Sequence, residues 1–388
     1  MCLLYHRKGM VGMASFKKLA TGWQFRISYK DGDKYRTKSG NGYPTKKDAQ
    51  IAAADIEQKL QKGLDIKAGD TLFLDYYSKW VDTYKTGKFS FESDRNYQTA
   101  INLVRKQFSG LRLKDISKQV YQAFINEYAQ THSKATVRKI HNKIAPCLRE
   151  AFRSGDIAKD VAYKIQITGT DGKKEIDKYL SEAETIKLLD ALMQDLHIDY
   201  SSRYMCILQL ATGARIGEIM ALTYDSLDFK KNTLTINKSW DYKSAHGFKP
   251  TKNKENRTIG VDAKTMALLK PYYDEVKKAS LKSRFQNPHR LVFVSINGDP
   301  ITVDAVNKCL RHACIRAGIS TITSHGLRHT HASILLLHHL DLHYVSERLG
   351  HKSQITTASI YAHVLKETKE RGDERAAEIT ATLYADAK

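Results

Sequence analysis

Ser324-His-Gly-Leu-Arg-His-Thr330 is the stretch on which the reading of this 388-residue chain turns. His325 and Arg328 are three residues apart, so on a helix they share one face and can reach the same anionic group. A guanidinium stays charged and grips two phosphate oxygens at once, and an imidazole beside it can give or take a proton. Upstream, Thr212-Gly-Ala-Arg-Ile-Gly-Glu218 sets Arg215 between Gly213 and Gly217 at the end of an apolar helix, where small neighbours permit close approach of a DNA backbone. Glu218, one turn on, can orient that guanidinium. Downstream, Leu349-Gly-His-Lys-Ser-Gln-Ile-Thr-Thr-Ala-Ser-Ile-Tyr361 delivers His351 and Tyr361 after a helix ending near Gly350. With Lys252 between them, these residues stand in the order that a phosphodiester-cleaving tyrosine site needs: a nucleophile, cations on the non-bridging oxygens, and a proton donor for the leaving 5′ oxygen. A phenol ionises near ~10 and attacks poorly unaided, so Tyr361 needs a proton acceptor and the field of both arginines.

Competing readings of the same residues are weaker. His325, His329, His331, His338, His339 and His343 crowd together, but the text reads His-Gly-Leu-Arg-His, without carboxylates at metal spacing and with an arginine that repels a cation. These histidines read as packing groups or phosphate donors. Cys309 and Cys314 around His312 read as structural cysteines on a helix preceding the site. No metal and no cofactor is expected. Five cysteines without a Cys-x-x-Cys pair indicate neither a disulfide framework nor a zinc ribbon and fit a reducing cytoplasm. With no signal peptide and no apolar run approaching ~20 residues, a soluble cytoplasmic protein is expected, associated with the nucleoid of a bacterial host.

Charge points to the partner. Lys and Arg number 63 against 42 Asp and Glu, a net +21 spread along the chain, and such a field attracts a polyanion. Twenty-one tyrosines, several beside basic residues as at Tyr29-Lys30 and Tyr35-Arg36, suit phosphate and sugar contacts.

The chain divides by periodicity. Residues 1–12 carry no pattern and are expected to be disordered, leaving Met1 and Met13 both as candidate starts. Over 13–66, Phe16–Leu19, Trp23–Tyr29 and Lys34–Lys38 read as three short antiparallel strands with turns at Thr21-Gly22 and Asp31-Gly32-Asp33. A helix follows from an N-cap at Thr45 to Gly63, its stripe formed by Ala49, Ile51, Ala52, Ala53, Ile56 and Leu60. Met1 to Asp70 holds 14 Lys and Arg against 7 Asp and Glu, and the open face of this small α+β module is expected to read DNA through Arg26, Tyr29 and Arg36.

Residues 70–166 turn helical, with Leu72, Phe73, Tyr76, Tyr77, Trp80, Val81 and Tyr84 on one stripe read as core. Further helices are expected at Ser93–Phe108, Ser117–Tyr128 and Ser133–Arg153, the last kinked at Pro146. This all-α domain offers Arg95, Lys106, Lys134, Arg138, Lys139 and Lys143 to phosphates. Thr168 to Lys174 reads as the linker. Residues 175–388 form a mixed, mostly helical unit: a capping box at Ser181 and Glu184 opens a helix through Ile186, Leu188, Leu189 and Leu192, Tyr204–Leu210 is strongly apolar, and Leu234–Asn237, Lys254–Val261 and Leu291–Val294 read as strands. Neither an internal repeat nor a low-complexity segment is visible.

Taken together, Thr212–Glu218, His325–Arg328 and Leu349–His351 resemble the tyrosine recombinase family, and from about Ala14 onward the chain resembles a phage or mobile-element integrase with an N-terminal arm-binding module. The resemblance implies an arm-type DNA-binding module over 13–66, a helical core-binding (SAM-like) domain over 70–166, and a catalytic domain over 175–388 ending in an exchange tail. It further implies that Tyr361 attacks the scissile phosphate to form a 3′-phosphotyrosyl bond, that the freed 5′ hydroxyl attacks the partner duplex, and that neither nucleotide nor metal is needed. The family's lysine lies on a β-hairpin; Gly247 to Ile259 offers Lys249, Lys252 and Lys254, and register favours Lys252, leaving the other two as backbone binders. Tyr361 comes ten residues after His351, one more than is commonest in the family, with Tyr344 and Tyr384 as fallbacks. The tail from Val364 to Ala385, with Ile379 and Leu383, is expected to dock on a neighbouring protomer in a homotetramer on DNA. Double-stranded DNA with core-type and arm-type sites is the implied partner, alongside a host DNA-bending protein and an excision factor. A type IB topoisomerase shares the chemistry, but the separate basic module argues for recombination. A chromosomal dimer resolvase typically lacks that module, and a regulator derived from the fold would have lost a catalytic residue, which this chain has not.

Overall fold

The computed structural model describes residues 13–31, 34–61, 65–88, 91–170, 179–242, 247–253, 256–282, 285–361, 376–378 and 380–381. Residues 1–12, Gly32, Gly63, the end of the linker, Lys254, and the tail positions Ile379, Leu383 and Tyr384 lie outside the described residues. The chain forms two compact units, Met1–Gly172 and Lys173–Lys388.

The first unit opens with β1 (Ser15–Leu19), β2 (Gly22–Asp31) and β3 (Lys34–Tyr43), an antiparallel sheet in the order β1-β2-β3. Helix α1 (Lys46–Gln61) follows. It starts where Thr45 and Asp48 cap each other: the Asp48 N–H donates to Thr45 Oγ1 and the Thr45 N–H to Asp48 Oδ2, both at 3.1 Å. Strand alternation assigns the faces. Phe25, Ile27 and Tyr29 are buried, with Ala49 and Ala53 of α1 also buried, while Arg26, Ser28 and Lys30 are exposed. Tyr29 is therefore a core residue, which corrects its expected contact with DNA. Arg36 pairs with Tyr29 in the register and so belongs to the helix-covered side, at the β3 edge. The open face instead carries Lys17, Arg26, Lys30 and Tyr35. Ile51, expected in the apolar stripe, is 63% exposed.

Four helices complete this unit: α2 (Phe73–Tyr84), α3 (Phe91–Gln107), α4 (Lys118–Ala129) and α5 (Lys134–Arg153). Ser117 and Ser133 cap α4 and α5 by accepting from Val120 and Thr136 N–H groups, and α5 continues through Pro146. Phe73, Tyr77, Trp80, Phe108, Tyr121 and Leu148 share the core, as the periodicity requires; Leu72 and Tyr84, at the ends of the stripe, are exposed. Arg95, Lys106, Lys134, Arg138 and Lys139 are exposed. Lys143 is half-buried, its ammonium 4.2 Å from the Tyr97 ring centroid. Asp70 accepts from Lys38 of β3 at 3.0 Å and from Lys114 at 2.6 Å; the hydrogen bonds from Lys114 and then Lys38 hold its carboxyl down at about 2.

The second unit is built on α6 (Glu182–Met193), α7 (Ser201–Thr212), α8 (Ile216–Met220), α9 (Ala263–Ala279), α10 (Val303–Arg316), α11 (Ser324–Leu337), α12 (Leu342–Leu349) and α13 (Gln354–Ile360). The Ser181/Glu184 capping box opens α6, although Ile186 is exposed. Strands β4 (Leu227–Asp228), β5 (Thr233–Ile236) and β8 (Arg257–Gly260) form one antiparallel sheet, and β6 (Ser239–Trp240) pairs β7 (Phe248–Lys249). Residues 291–294 are buried as expected but form only isolated bridges, Thr223 with Leu291 and Val294 with Pro300, and not the expected strand. Helix α7 is buried around its circumference from Tyr204 to Leu210 because it runs through the core, and a helix apolar on all sides has no solvent face to show. Among the described residues no helix is long and apolar enough to cross a membrane.

Candidate active site

Helix α7 ends at Gly213, whose left-handed φ of 66° turns the chain abruptly; a Cβ there would stand 2.8 Å from Leu349 Cδ2. Two residues on, Arg215 is the N-cap of α8 and is locked by Glu218. Its N–H donates to Glu218 Oε2 at 2.9 Å, and Nη1 donates to Oε1 at 3.0 Å. Its Nη2 donates to the Gly350 carbonyl at 3.0 Å, which fastens this turn to the end of α12. Gly217 serves packing more than DNA approach, since a Cβ there would meet Ser239 Oγ at 2.6 Å.

Glu218 is 1% exposed and holds two cations, because Arg257 Nη2 also donates to its Oε2 at 2.7 Å. Burial alone pushes this carboxyl up; hydrogen bonds and charge from Arg257, with Arg215, outweigh it and keep it below its ordinary value. Arg257 also donates from Nε to the Arg348 carbonyl at 2.9 Å, and a Cβ on Gly350 would stand 2.8 Å from its Nη1. In the sequence Arg257 is legible only as the basic residue that opens the β8 strand.

Helix α11 contributes Arg328, 2% exposed, whose Nη1 donates to the Gly213 carbonyl at 2.9 Å. Its Nη2 is buried without a hydrogen-bond partner among the described residues. Burial, then repulsion from Arg215, pushes this guanidinium down to about 9, so it remains a cation at neutral pH. A buried donor without an acceptor costs about 1–3 kcal/mol, which an incoming anionic oxygen would recover. His351 lies in the turn after α12, its Nδ1 2.8 Å from Thr357 Oγ1. Burial, followed by Arg328 and Arg215, pushes it to about 3, so it is neutral at physiological pH.

Tyr361 caps the end of α13 and is 1% exposed, packed in a small core with Ala332, Leu336, Val345 and Leu349. It sits against His329, with the hydroxyl 3.0 Å from His329 Nδ1. The same helix face exposes His325, whose ring meets that of His329 edge-on at 4.6 Å between centroids. The neighbouring His331 is a structural residue: Nδ1 donates to the Leu210 carbonyl at 2.8 Å and Nε2 accepts from Arg348 Nε at 3.0 Å. Burial and then Arg348 depress it to about 3. Thus Arg215, Arg328, His351 and Tyr361 gather within electrostatic reach of one another, with His325 exposed beside His329.

The lysine candidates differ. Lys249 is on β7 and pairs with Asp241 at 3.3 Å; Lys252 is exposed in the turn between β7 and β8. Its neighbour Asn253 donates from Nδ2 to the Gly350 carbonyl at 2.7 Å, the same oxygen that Arg215 binds, so the turn carrying Lys252 is tied to the site. Cys309 and Cys314 lie on α10, and no group of three His, Cys, Asp or Glu suited to a metal occurs among the described residues.

Known proteins match this chain in three successive segments. Residues 178–368 match the phage integrase family, residues 15–60 an arm DNA-binding domain, and residues 72–129 the N-terminal SAM-like domain of phage integrases. The integrase of Staphylococcus phage L54a is 27% identical over 334 residues, covering 80% of this chain and 94% of that protein. The Tn1549 transposon integrase in complex with a circular intermediate DNA shares the fold at a TM-score of 0.63 and 16% identity, over 78% of this chain and 99% of that one. A lambda integrase tetramer bound to a Holliday junction gives a TM-score of 0.56 at 16% identity, over 87% and 96%. Matching the phage integrase, arm DNA-binding and SAM-like models in three successive segments and an integrase of similar length over most of its chain, the protein belongs to the phage integrase family of tyrosine recombinases, site-specific DNA recombinases.

Proposed function

We propose that this recombinase integrates and excises a phage or mobile element through a 3′-phosphotyrosyl intermediate formed by Tyr361. The observation that carries this reading is the buried Arg328 guanidinium, its Nη2 without a hydrogen-bond partner among the described residues and its charge within reach of Arg215, His351 and Tyr361. Arg215 and Arg328 hold the non-bridging oxygens, where fixed cations in a water-poor pocket act on developing charge. His351, held neutral, donates a hydrogen bond to the phosphate, His325 donates or accepts a proton at the rim, and Lys252 protonates the leaving 5′ oxygen. Keeping the phosphate bound to Tyr361 preserves the bond energy, so rejoining needs no nucleotide.

Residues 13–66 bind arm-type sites through the open sheet face, with Arg26 and Lys30 on phosphates; the helices of 70–166 contact core-type DNA through Arg95, Lys139 and neighbouring cations; 175–388 cleaves, its tail reaching a second protomer of a tetramer. Lys249 and Lys254 serve as further backbone binders. A host bending protein and an excision factor complete the assembly, in the cytoplasm at the nucleoid.

The test mixes wild-type and Tyr361→Phe protein with nicked duplexes from the DNA flanking the gene and resolves covalent adducts on a denaturing gel. An adduct from wild type alone supports the reading. Tight, specific binding without any adduct overturns it in favour of a regulator, and an adduct from both proteins moves the nucleophile elsewhere, to Tyr384 first.

A further inference from the structure

We infer that His329 is a catalytic residue, the base that takes the proton from Tyr361 as the phenol attacks; the inference rests on the proposed role of Tyr361. Three observations on the page lead there. The Tyr361 hydroxyl lies 3.0 Å from His329 Nδ1, within the range a proton-transfer partner requires. Tyr361 is 1% exposed, so bulk water has little access to its proton and the acceptor must come from the protein. His329 is half-buried one residue beyond Arg328, so one turn of α11 supplies both the cation that binds the phosphate and the group that frees the nucleophile.

His351 and His325 are the other imidazoles near the reaction: His351 Nδ1 is engaged by Thr357 Oγ1 at 2.8 Å, and His325 stands beside the His329 ring, whereas it is His329 whose nitrogen meets the Tyr361 hydroxyl. Charged and titratable groups surround His329 from several elements. From its own helix comes His325, with its ring 4.6 Å away; from the turn after α12 comes His351, on which Arg328 and Arg215 also act; and from the end of α13 comes Tyr361.

The step balances. With the proton on Nε2, His329 presents the Nδ1 lone pair to the phenol. The Tyr361 O–H bond breaks toward Nδ1, the phenolic oxygen forms the bond to phosphorus, and the P–O5′ bond breaks. The 5′ oxygen leaves with the electron pair of that bond and takes a proton from Lys252. In the rejoining step the imidazolium returns its proton to the departing Tyr361 oxygen, so the residue ends as it began.

The experiment follows single-turnover adduct formation on the nicked duplexes from pH 6 to 10 for wild type, His329→Gln and His329→Ala, with melting curves and DNA binding recorded alongside. The expected result is a rate for His329→Gln about 100-fold below wild type at pH 7, the low end of what a general base contributes, with the deficit shrinking several-fold by pH 9.5 as the phenol, ionising near ~10 in isolation, loses its proton unaided. In His329→Ala, added imidazole should restore part of the rate at pH 7.5. A rate within twofold of wild type at every pH overturns the inference while leaving Tyr361 as nucleophile. An equal deficit at all pH values, without imidazole rescue, overturns it too and makes His329 a packing residue. Absence of an adduct from wild type removes the reading on which the inference stands, an outcome distinct from either.

Discussion

Arg26, Lys30, Arg95, Arg138 and Lys139 of the first unit stand in solvent, whereas Arg328, Arg257 and Arg348 of the second are buried or half-buried and each donates to a backbone carbonyl or to Glu218. The same charge serves two purposes. A solvated cation attracts a polyanion over a Debye length and releases counterions when it binds. A buried one is immobile, already stripped of water, and acts on charge that develops within a few ångströms. The burial is made more tolerable by Glu218, which pairs with both Arg215 and Arg257 and offsets one of their two charges, while Arg328 carries an Nη2 without a hydrogen-bond partner among the described residues.

The comparison breaks most visibly at Arg328. Arg328→Ala is expected to lower adduct formation by about 1000-fold, in line with removal of a preorganised donor, while gel-shift binding of the same duplex changes little; Arg215→Ala should behave alike. Equal losses of binding and cleavage would mean that these buried cations work as surface ones do.

Next in size is Glu218→Gln, which leaves Arg215 and Arg257 facing a neutral amide. Removing one member of a buried ion pair costs about 3–5 kcal/mol, readable by urea titration, whereas Lys249→Ala, which breaks the exposed pair with Asp241, should cost under about 1 kcal/mol. Similar costs for the two would remove the distinction between buried and solvated pairs.

Acid sharpens the same contrast. His331 is held neutral in the fold, its folded value depressed to about 3 against an ordinary 6.5, so unfolding takes up a proton below the ordinary value. Its contribution is fully present above pH ~6.5 and is lost as pH falls toward the folded value; between pH 6.5 and 5 the loss is roughly 2 kcal/mol. His351, depressed in the same direction, adds to it. Thermal melts at constant ionic strength should fall over this window, and the fall should lessen in His331→Asn.

The smallest effect belongs to the open sheet face. Arg26→Ala with Lys30→Ala should weaken arm-site binding by no more than about tenfold and flatten its salt dependence by about 1.8 in log–log slope, with cleavage of a core-type duplex unchanged. Tyr29→Phe, a core change, should leave that slope alone.

Local pattern made much of this legible. The Ser181/Glu184 and Thr45/Asp48 capping pairs, the stripe of Phe73, Tyr77 and Trp80, and the three short strands were all readable because each depends on residues within one or two turns or strand repeats. Tyr29 was misread for a related reason. Its neighbours in sequence are basic, but alternation sends Lys30 outward and Tyr29 under α1. The alternation Phe25-Arg26-Ile27-Ser28-Tyr29-Lys30 does mark the covered face, and Tyr29 falls on it with Phe25 and Ile27.

By itself, then, the sequence determined the order of Arg215, His325, Arg328, His351 and Tyr361, because side-chain types and short spacings are local properties. Only the tertiary structure decided how those groups are held. Glu218 meets Arg257 across 39 residues, Arg215 meets Gly350 across 135, and Tyr361 meets His329 across 32. Such partners are chosen by how α7, α8, α11 and the β8 strand pack, and long-range packing leaves no period in the chain for a reader to follow.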